Sequence, residues 1–263
     1  MIEAVSKLSA YLEGLLQARD IEKDREADPV RFPWRFSDPC DRTLVALFAA
    51  SLAYGRARAI GEALEHLLLR IGERPAQLAA TEEIDAARAR FQGFRYRFTD
   101  GEALARLWVG LGALLRRHQS LLEAARWADT GYRSGEDLVR TYGRLRLAIR
   151  APTQALPHHR GFSHLLPDPA LGSAVKRPAL FFRWMVRGPD PVDFGLWSEL
   201  NPARLWMPLD THVHRISAYL GLTERKRADL TAAREIRDAL SLVDPYDPLR
   251  FDLALAHLGI SGT

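Results

Sequence analysis

Two residues of this 263-residue chain have the types and settings to do chemistry together, Lys176 and Asp210. Asp210 lies in Trp206-Met207-Pro208-Leu209-Asp210-Thr211-His212-Val213-His214-Arg215-Ile216. Pro208 disfavours helical geometry at the residue before it, so any preceding helix stops there. Val213, Ile216 and Leu220 then recur at helical spacing, which predicts a new helix with Asp210 as its N-cap. A carboxylate in that position accepts hydrogen bonds from the first free N–H groups and feels the positive end of the helix dipole. Asp210 is therefore expected to be ionised at neutral pH. One use of such a residue is a structural cap; another is a catalytic carboxylate. Lys176 opens a second segment, in which Leu180, Phe181, Trp184 and Met185 give a buried helical face. The dipole disfavours a cation at a helix start, and partial burial adds to that, favouring the free amine a nucleophile needs. The competing reading is a lysine whose stem lies along the surface with its amine in water. Asp210, His212 and His214 do not read as a metal site, because residues two apart on a helix point in different directions. No metal or cofactor is expected.

Several elements must position these two residues. Ile2 to about Asp24 reads as one amphipathic helix, with Val5, Leu8, Tyr11, Leu12, Leu15 and Leu16 at three- and four-residue steps, ended by Asp28-Pro29. The loop from Pro29 to Pro39 interleaves Arg31 and Arg35 with Phe32, Trp34 and Phe36. Such a loop can grip a nucleic acid, but the aromatics are expected to pin it to the core. Asp41 to Gly72 is the most apolar part, two helical patterns separated by Ala49-Ala50-Ser51-Leu52-Ala53-Tyr54-Gly55-Arg56, with Gly55 marking the break. Phe91 to Phe98 is an aromatic and arginine run that could be extended, with Arg95 and Arg97 as phosphate contacts or as solvated arginines. Gly101 to Arg117 reads as a helix, and Ser134-Gly135-Glu136-Asp137 as a capping box opening a helix through Ile149. Ala151 to Leu171, with four prolines, reads as a long loop. Phe251 to Gly259 reads as a closing helix. No alternation predicts a sheet and no internal repeat is found, so the fold class is all-α.

Composition narrows the function classes. The chain is 47% apolar and 27% charged, ordinary for a globular protein able to bury a sizeable core. No apolar run reaches membrane-spanning length, and Met1-Ile2-Glu3-Ala4 has neither the basic start nor the apolar core of a signal peptide. A single cysteine, Cys40, excludes an internal disulfide and cannot alone hold an iron–sulfur cluster. A cytoplasmic monomer with no membrane partner is expected. The excess of 37 Lys+Arg over 33 Asp+Glu permits nucleic-acid binding without demanding it.

Pro208-Leu209-Asp210-Thr211-His212-Val213-His214-Arg215-Ile216 resembles the aspartate signature of the helix-hairpin-helix DNA glycosylases, in which a proline-rich loop delivers an aspartate to a helix start and an arginine follows five residues on. The longer string from Lys176 to Gly259 is similar to the DUF2400 family, and that likeness runs over nearly the whole chain. In glycosylases with lyase activity the catalytic lysine follows a glycine hairpin. Gly172-Ser173-Ala174-Val175-Lys176 stands at the matching place, with Ala174 where the second glycine would be and with 34 residues from Lys176 to Asp210, longer than in endonuclease III. The added length is Arg187 to Trp197, which the DUF2400 branch shares. The chain ends at Thr263, so a C-terminal cluster module is not expected.

The resemblance implies a two-lobed helical fold without an iron–sulfur cluster: residues 1–40 and 151–263 forming one lobe that carries the Lys/Asp site, residues 41–150 the other, and a cleft between them. It implies a glycosylase/AP lyase acting on double-stranded DNA that contains a damaged base, with 8-oxoguanine as first choice, Lys176 attacking C1′ and Asp210 assisting. By the same resemblance Ser51, Tyr54, Arg56, Trp184, Phe194 and His212 are the residues expected at the base, though core roles compete for the aromatics. Gly172, Ser173, Arg177, His214 and Arg215 are those expected at the DNA backbone. The rival expectations are a DNA- or RNA-binding protein of the same fold without the chemistry, and an enzyme redirected to modified-base metabolism.

Overall fold

The computed structural model describes residues 2–18, 20–130 and 136–261. The chain is mostly helical. Helices α1 (Ile2–Gln17) and α2 (Ile21–Ala27) come first, then α3 (Pro39–Ser51), α4 (Ala57–Ile71), α5 (Pro75–Thr81) and α6 (Ile84–Arg90). A hairpin of β1 (Arg95–Tyr96) and β2 (Thr99–Asp100) leads into α7 (Gly101–His118), α8 (Leu121–Ala128) and α9 (Val139–Arg150). The rest is α10 (Arg160–Leu165), α11 (Lys176–Val186), α12 (Thr211–Tyr219), α13 (Leu230–Ser241) and α14 (Asp252–Ser261).

Four sequence expectations need correction. The predicted first helix is two, with α1 ending at Gln17. The hairpin from Arg95 to Asp100 is a small antiparallel sheet, too short for alternation to betray it. The stretch 151–171 is not all loop, since α10 forms within it, capped by the His159 ring accepting from Phe162 N–H at 3.2 Å. The helix predicted from Ser134 starts at Val139; Ser134 and Gly135 lie outside the described residues.

The chain divides into two compact units, one comprising Met1–Asp24, Asp137–Val139 and Pro169–Thr263, the other Arg25–Glu136 and Arg140–Asp168. In the second unit α7 is the central helix, buried along nearly its whole length. Its glycines let backbones meet: a Cβ on Gly110 would stand 2.1 Å from the Ile149 carbonyl oxygen in α9, and one on Gly112 2.0 Å from that of Ala79 in α5. Of the aromatics expected to pin the loop 29–39, Phe32 is buried with the Arg31 and Arg35 guanidiniums over its ring, while Trp34 and Phe36 are half-buried.

The first unit is built on α11. Phe181 and Phe182 meet Trp197 edge-on at 5.2 and 5.6 Å, and Phe182 also packs on Trp206. Against this core α14 packs on both α1 and α12. Among the described residues no helix is long and apolar enough to cross a membrane.

Candidate functional site

Lys176 and Asp210 belong to the same unit and touch. Asp210 is extended (φ −116°, ψ −174°) and caps α12, its Oδ1 accepting from the backbone N–H groups of His212 and Val213 at 2.9 Å. Its Oδ2 accepts from Lys176 Nζ at 2.7 Å. One carboxylate therefore starts a helix with one oxygen and holds an amine with the other. Burial alone would push its carboxyl up, but the Lys176 charge and hydrogen bond, with the two N–H donors, outweigh that and hold it below the usual carboxylate range. Side-chain exposures of 38% for Lys176 and 31% for Asp210 leave the pair open to a reactant.

Lys176 is the first residue of α11, and the turn before it is held on both sides. Gly172 takes φ +77°, and its carbonyl accepts from Leu230 N–H at 3.1 Å. Ser173 forms a bridge with Asp229, and the Ala174 carbonyl accepts from the Trp206 indole at 3.2 Å. Val175 then sits at φ +42°, which a β-branched residue rarely adopts. A strained residue persists where its surroundings over-determine it, and here the strain immediately precedes the candidate nucleophile.

Behind the pair lies a charge cluster that sequence reasoning missed. Arg183, 2% exposed and seven residues on from Lys176, donates to Asp252 Oδ2 at 2.7 Å and to Asp193 Oδ2 at 3.2 Å. Arg187 pairs with the same Asp193 oxygen and, bidentately, with Asp247 at 2.7 and 2.8 Å. Burial drives the Asp193 carboxyl up to about 6 against the pull of the two guanidiniums. The available signal was Arg183 within the apolar run Ala179 to Val186 of α11, with Arg187 one turn on at the helix's C-cap, since a buried guanidinium calls for a carboxylate partner.

The other expected residues divide. His212 Nδ1 lies 3.1 Å from the Gly259 carbonyl oxygen and Arg215 donates to the same oxygen at 2.7 Å, so both tie α12 to α14. His214 Nε2 is 2.9 Å from the Arg225 carbonyl oxygen. Gly172 and Ser173 are exposed and Arg177 is half-buried. Trp184 and Phe194, expected at the base, are core residues: they are 1% and 5% exposed, and the Phe194 N–H donates to the Trp184 carbonyl at 2.7 Å. Neither ring has a free face for a base, and their role is packing. Ser51, Tyr54 and Arg56 belong to the second unit. There Ser51 is buried, Arg56 is exposed, and the Tyr54 hydroxyl is bonded to Thr99 Oγ1 at 2.8 Å and to the Tyr96 carbonyl at 3.1 Å. Tyr54 thus anchors the hairpin.

No curated protein matches this chain, and no solved structure matches it. A family model does match, over residues 28–261, a span that takes in Lys176, Asp210 and the whole charge cluster; the chain belongs to the family described as "Protein of unknown function (DUF2400)".

Proposed function

We propose that the protein is a DNA base-excision glycosylase with AP lyase activity, of the two-lobed helix-hairpin-helix type, acting on double-stranded DNA that carries a damaged base. The observation that supports this most is the 2.7 Å contact between Lys176 at the start of α11 and Asp210 at the cap of α12. An amine that must attack an anomeric carbon needs a partner that both takes its proton and tolerates positive charge on the sugar, and a carboxylate held ionised by its own helix does both.

In this reading the target nucleotide is extruded from the duplex. The Lys176 amine gives up its proton and attacks C1′. The C1′–N bond breaks with its electron pair leaving on the base, and the Asp210 carboxylate offsets the oxocarbenium-like charge. Ring opening then gives a Schiff base between Lys176 and C1′, and loss of a C2′ proton expels the 3′ phosphate. The base is proposed to be 8-oxoguanine. The open exposure of the pair and the strained turn that presents Lys176 are consistent with this use.

A second reading, a DNA- or RNA-binding protein without chemistry, is favoured by one observation: Ala174, where the hairpin would carry a second glycine, is buried and its carbonyl is spent on Trp206. The test is borohydride trapping on duplexes containing 8-oxoguanine, uracil, an oxidised pyrimidine or an abasic site. A covalent adduct, lost in Lys176→Ala and weakened in Asp210→Asn, supports the lyase. DNA affinity without any adduct selects the second reading.

A further inference from the structure

The aromatic and arginine run from Phe91 to Phe98 has no part in the chemistry of Lys176 and Asp210, and it ends on a ring that the fold leaves outside. Phe98 is 63% exposed at the tip of the β1–β2 hairpin, where Tyr96 pairs with Thr99 and only Arg97 and Phe98 make the turn. Arg97 takes φ +50°, a backbone conformation that glycine, asparagine or aspartate adopts more readily. The exposed ring is nonetheless held. It lies nearly parallel to Tyr54, with centroids 6.3 Å apart and planes at 17°, and 5.1 Å from the His164 ring. Tyr54 in turn meets His164 edge-on at 4.6 Å. Tyr54 and Tyr96 each place a hydroxyl on the other's backbone carbonyl, which fixes the hairpin against the loop between α3 and α4.

Two glycines bring the supporting segments up to this tip. A Cβ on Gly55 would stand 2.9 Å from the Tyr96 hydroxyl and 3.2 Å from Arg97 Cδ, and one on Gly161 in α10 would stand 2.6 Å from the Phe98 carbonyl oxygen. Each glycine adjoins an exposed arginine, Arg56 after the first and Arg160 before the second. Among the described residues, Arg56, Arg97 and Arg160 form no ion pair. Asp100, the carboxylate of β2, is spent on the Ala103 N–H at 3.0 Å and on the His159 ring at 3.4 Å. The Arg97 guanidinium lies 5.9 Å from the centre of the Phe98 ring. One held, exposed ring thus stands where three segments meet, and each segment carries an unpaired arginine.

We infer that this tip binds single-stranded nucleic acid, with an unpaired base stacking on Phe98 and the adjoining phosphates taken by Arg56, Arg97 and Arg160. Stacking on an aromatic ring accepts any base, because every base has a π-face, and it works together with positive charge along the backbone. The guanidinium fork suits phosphate, presenting two N–H donors to two oxygens. A protein partner would have to be strongly acidic to meet three unpaired arginines, whereas each nucleotide of a strand brings its own negative charge. A ring already fixed by Tyr54 and His164 loses little freedom when a base covers it. The contacts invoked, base face and phosphate, are common to DNA and RNA. The site lies wholly in the second unit, so it stands whether or not Lys176 does chemistry.

The test is fluorescence anisotropy of the intact protein with labelled oligothymidylate and oligouridylate of about 12 nucleotides, titrated at several salt concentrations. Phe98→Ala is expected to weaken binding about tenfold or more, and Phe98→Trp, which keeps the π-face, to bind as the unaltered chain does. Arg97→Gly removes a charge but suits the positive φ, so the hairpin survives. That variant, Arg56→Gln and Arg160→Gln are each expected to flatten the slope of log affinity against log salt by about 0.7. In a duplex the base faces are covered by their neighbours, so Phe98→Ala is expected to change the affinity for the annealed strand by less than about twofold. A preference between the two oligonucleotides assigns the site to DNA or to RNA. No binding to either strand would overturn the inference and leave the tip to an acidic protein. Equal affinities of Phe98→Ala and the unaltered chain would overturn it too, as would a Phe98→Ala loss on the duplex as large as on the single strands. Failure of the lyase reading shows elsewhere, as absence of a borohydride adduct, and leaves this result untouched.

Discussion

Replacing Gly259 by alanine asks how closely α12 and α14 must meet. A Cβ there would stand 2.7 Å from the His212 carbonyl oxygen, 2.8 Å from its carbonyl carbon and 2.9 Å from its Cβ, where ordinary Cβ contacts begin at 3.4 Å. Two of the three atoms are backbone, so no rotamer change relieves the clash and the helices must part by roughly 0.5 Å or more. Overpacking of this kind costs about 1–3 kcal/mol. For a chain of this size each kcal/mol lowers Tm by roughly 2–4 °C, so a fall of about 2–12 °C is expected by calorimetry. The displacement does not stay local. The Gly259 carbonyl receives both His212 and Arg215, and His212 follows two residues after Asp210, so the carboxylate moves with its helix. Misplacing a reacting group by about 1 Å can cost on the order of a hundredfold in rate, so under the proposed lyase function a loss of about tenfold or more in borohydride trapping is expected. Gly110→Ala is the comparison, because its Cβ would meet the Ile149 carbonyl oxygen at 2.1 Å in the other unit. It should lower Tm and spare trapping once the protein is folded. A Gly259→Ala protein with the Tm and trapping rate of the unaltered chain would refute the reasoning.

Three further outcomes are expected. Asp210→Ala should cost about 1 kcal/mol through loss of the α12 cap, while Asp210→Asn, which keeps an accepting oxygen, should cost a few tenths at most; urea unfolding separates the two, and equal losses would deny the cap its role. Arg183→Met leaves Asp193 and Asp252 buried without their shared cation and should cost about 3–5 kcal/mol, whereas exchanging Arg183 and Asp252 together for Met and Leu should recover much of that, as read by Tm. Glu102 is held down to about 2, first by the hydrogen bonds of Arg88 and then by Arg106. A depressed carboxyl stabilises above its unfolded value and loses that contribution as pH falls through its folded one. The Tm gap between the unaltered chain and Glu102→Gln should therefore be full at pH 7 and shrink between about pH 4.5 and 2.

The sequence made local physics legible. Asp210 as a cap follows from Pro208 and the Val213, Ile216, Leu220 spacing, and Lys176 as a helix start from the apolar face behind it; both are decided within a dozen residues. What escaped is non-local. Arg183 finds Asp252 69 residues away, and Arg187 finds Asp247 60 residues away, and no periodicity announces such partners. Tyr54 failed differently: a tyrosine before a glycine looks available for a ligand, yet its hydroxyl is used on Tyr96 and Thr99, more than 40 residues on. The aromatic residues placed at the base, Trp184 on α11 and Phe194 in the stretch after it, show the same limit, since residue type cannot tell an inward ring from one facing a ligand.

The discontinuity of the first unit bears on how the chain is made. Helix α1 packs on α14, and Glu13 pairs with Arg250, 237 residues away. During synthesis the second unit, nearly continuous from residue 25 to 168, has all its sequence before α11 emerges. The first helix must wait, its apolar stripe uncovered, until the last one is translated. Closure across so long a separation is slow relative to local helix formation. The unit that carries Lys176 and Asp210 is thus completed last, so an interrupted chain can contain a finished helical body and still lack the pair entirely.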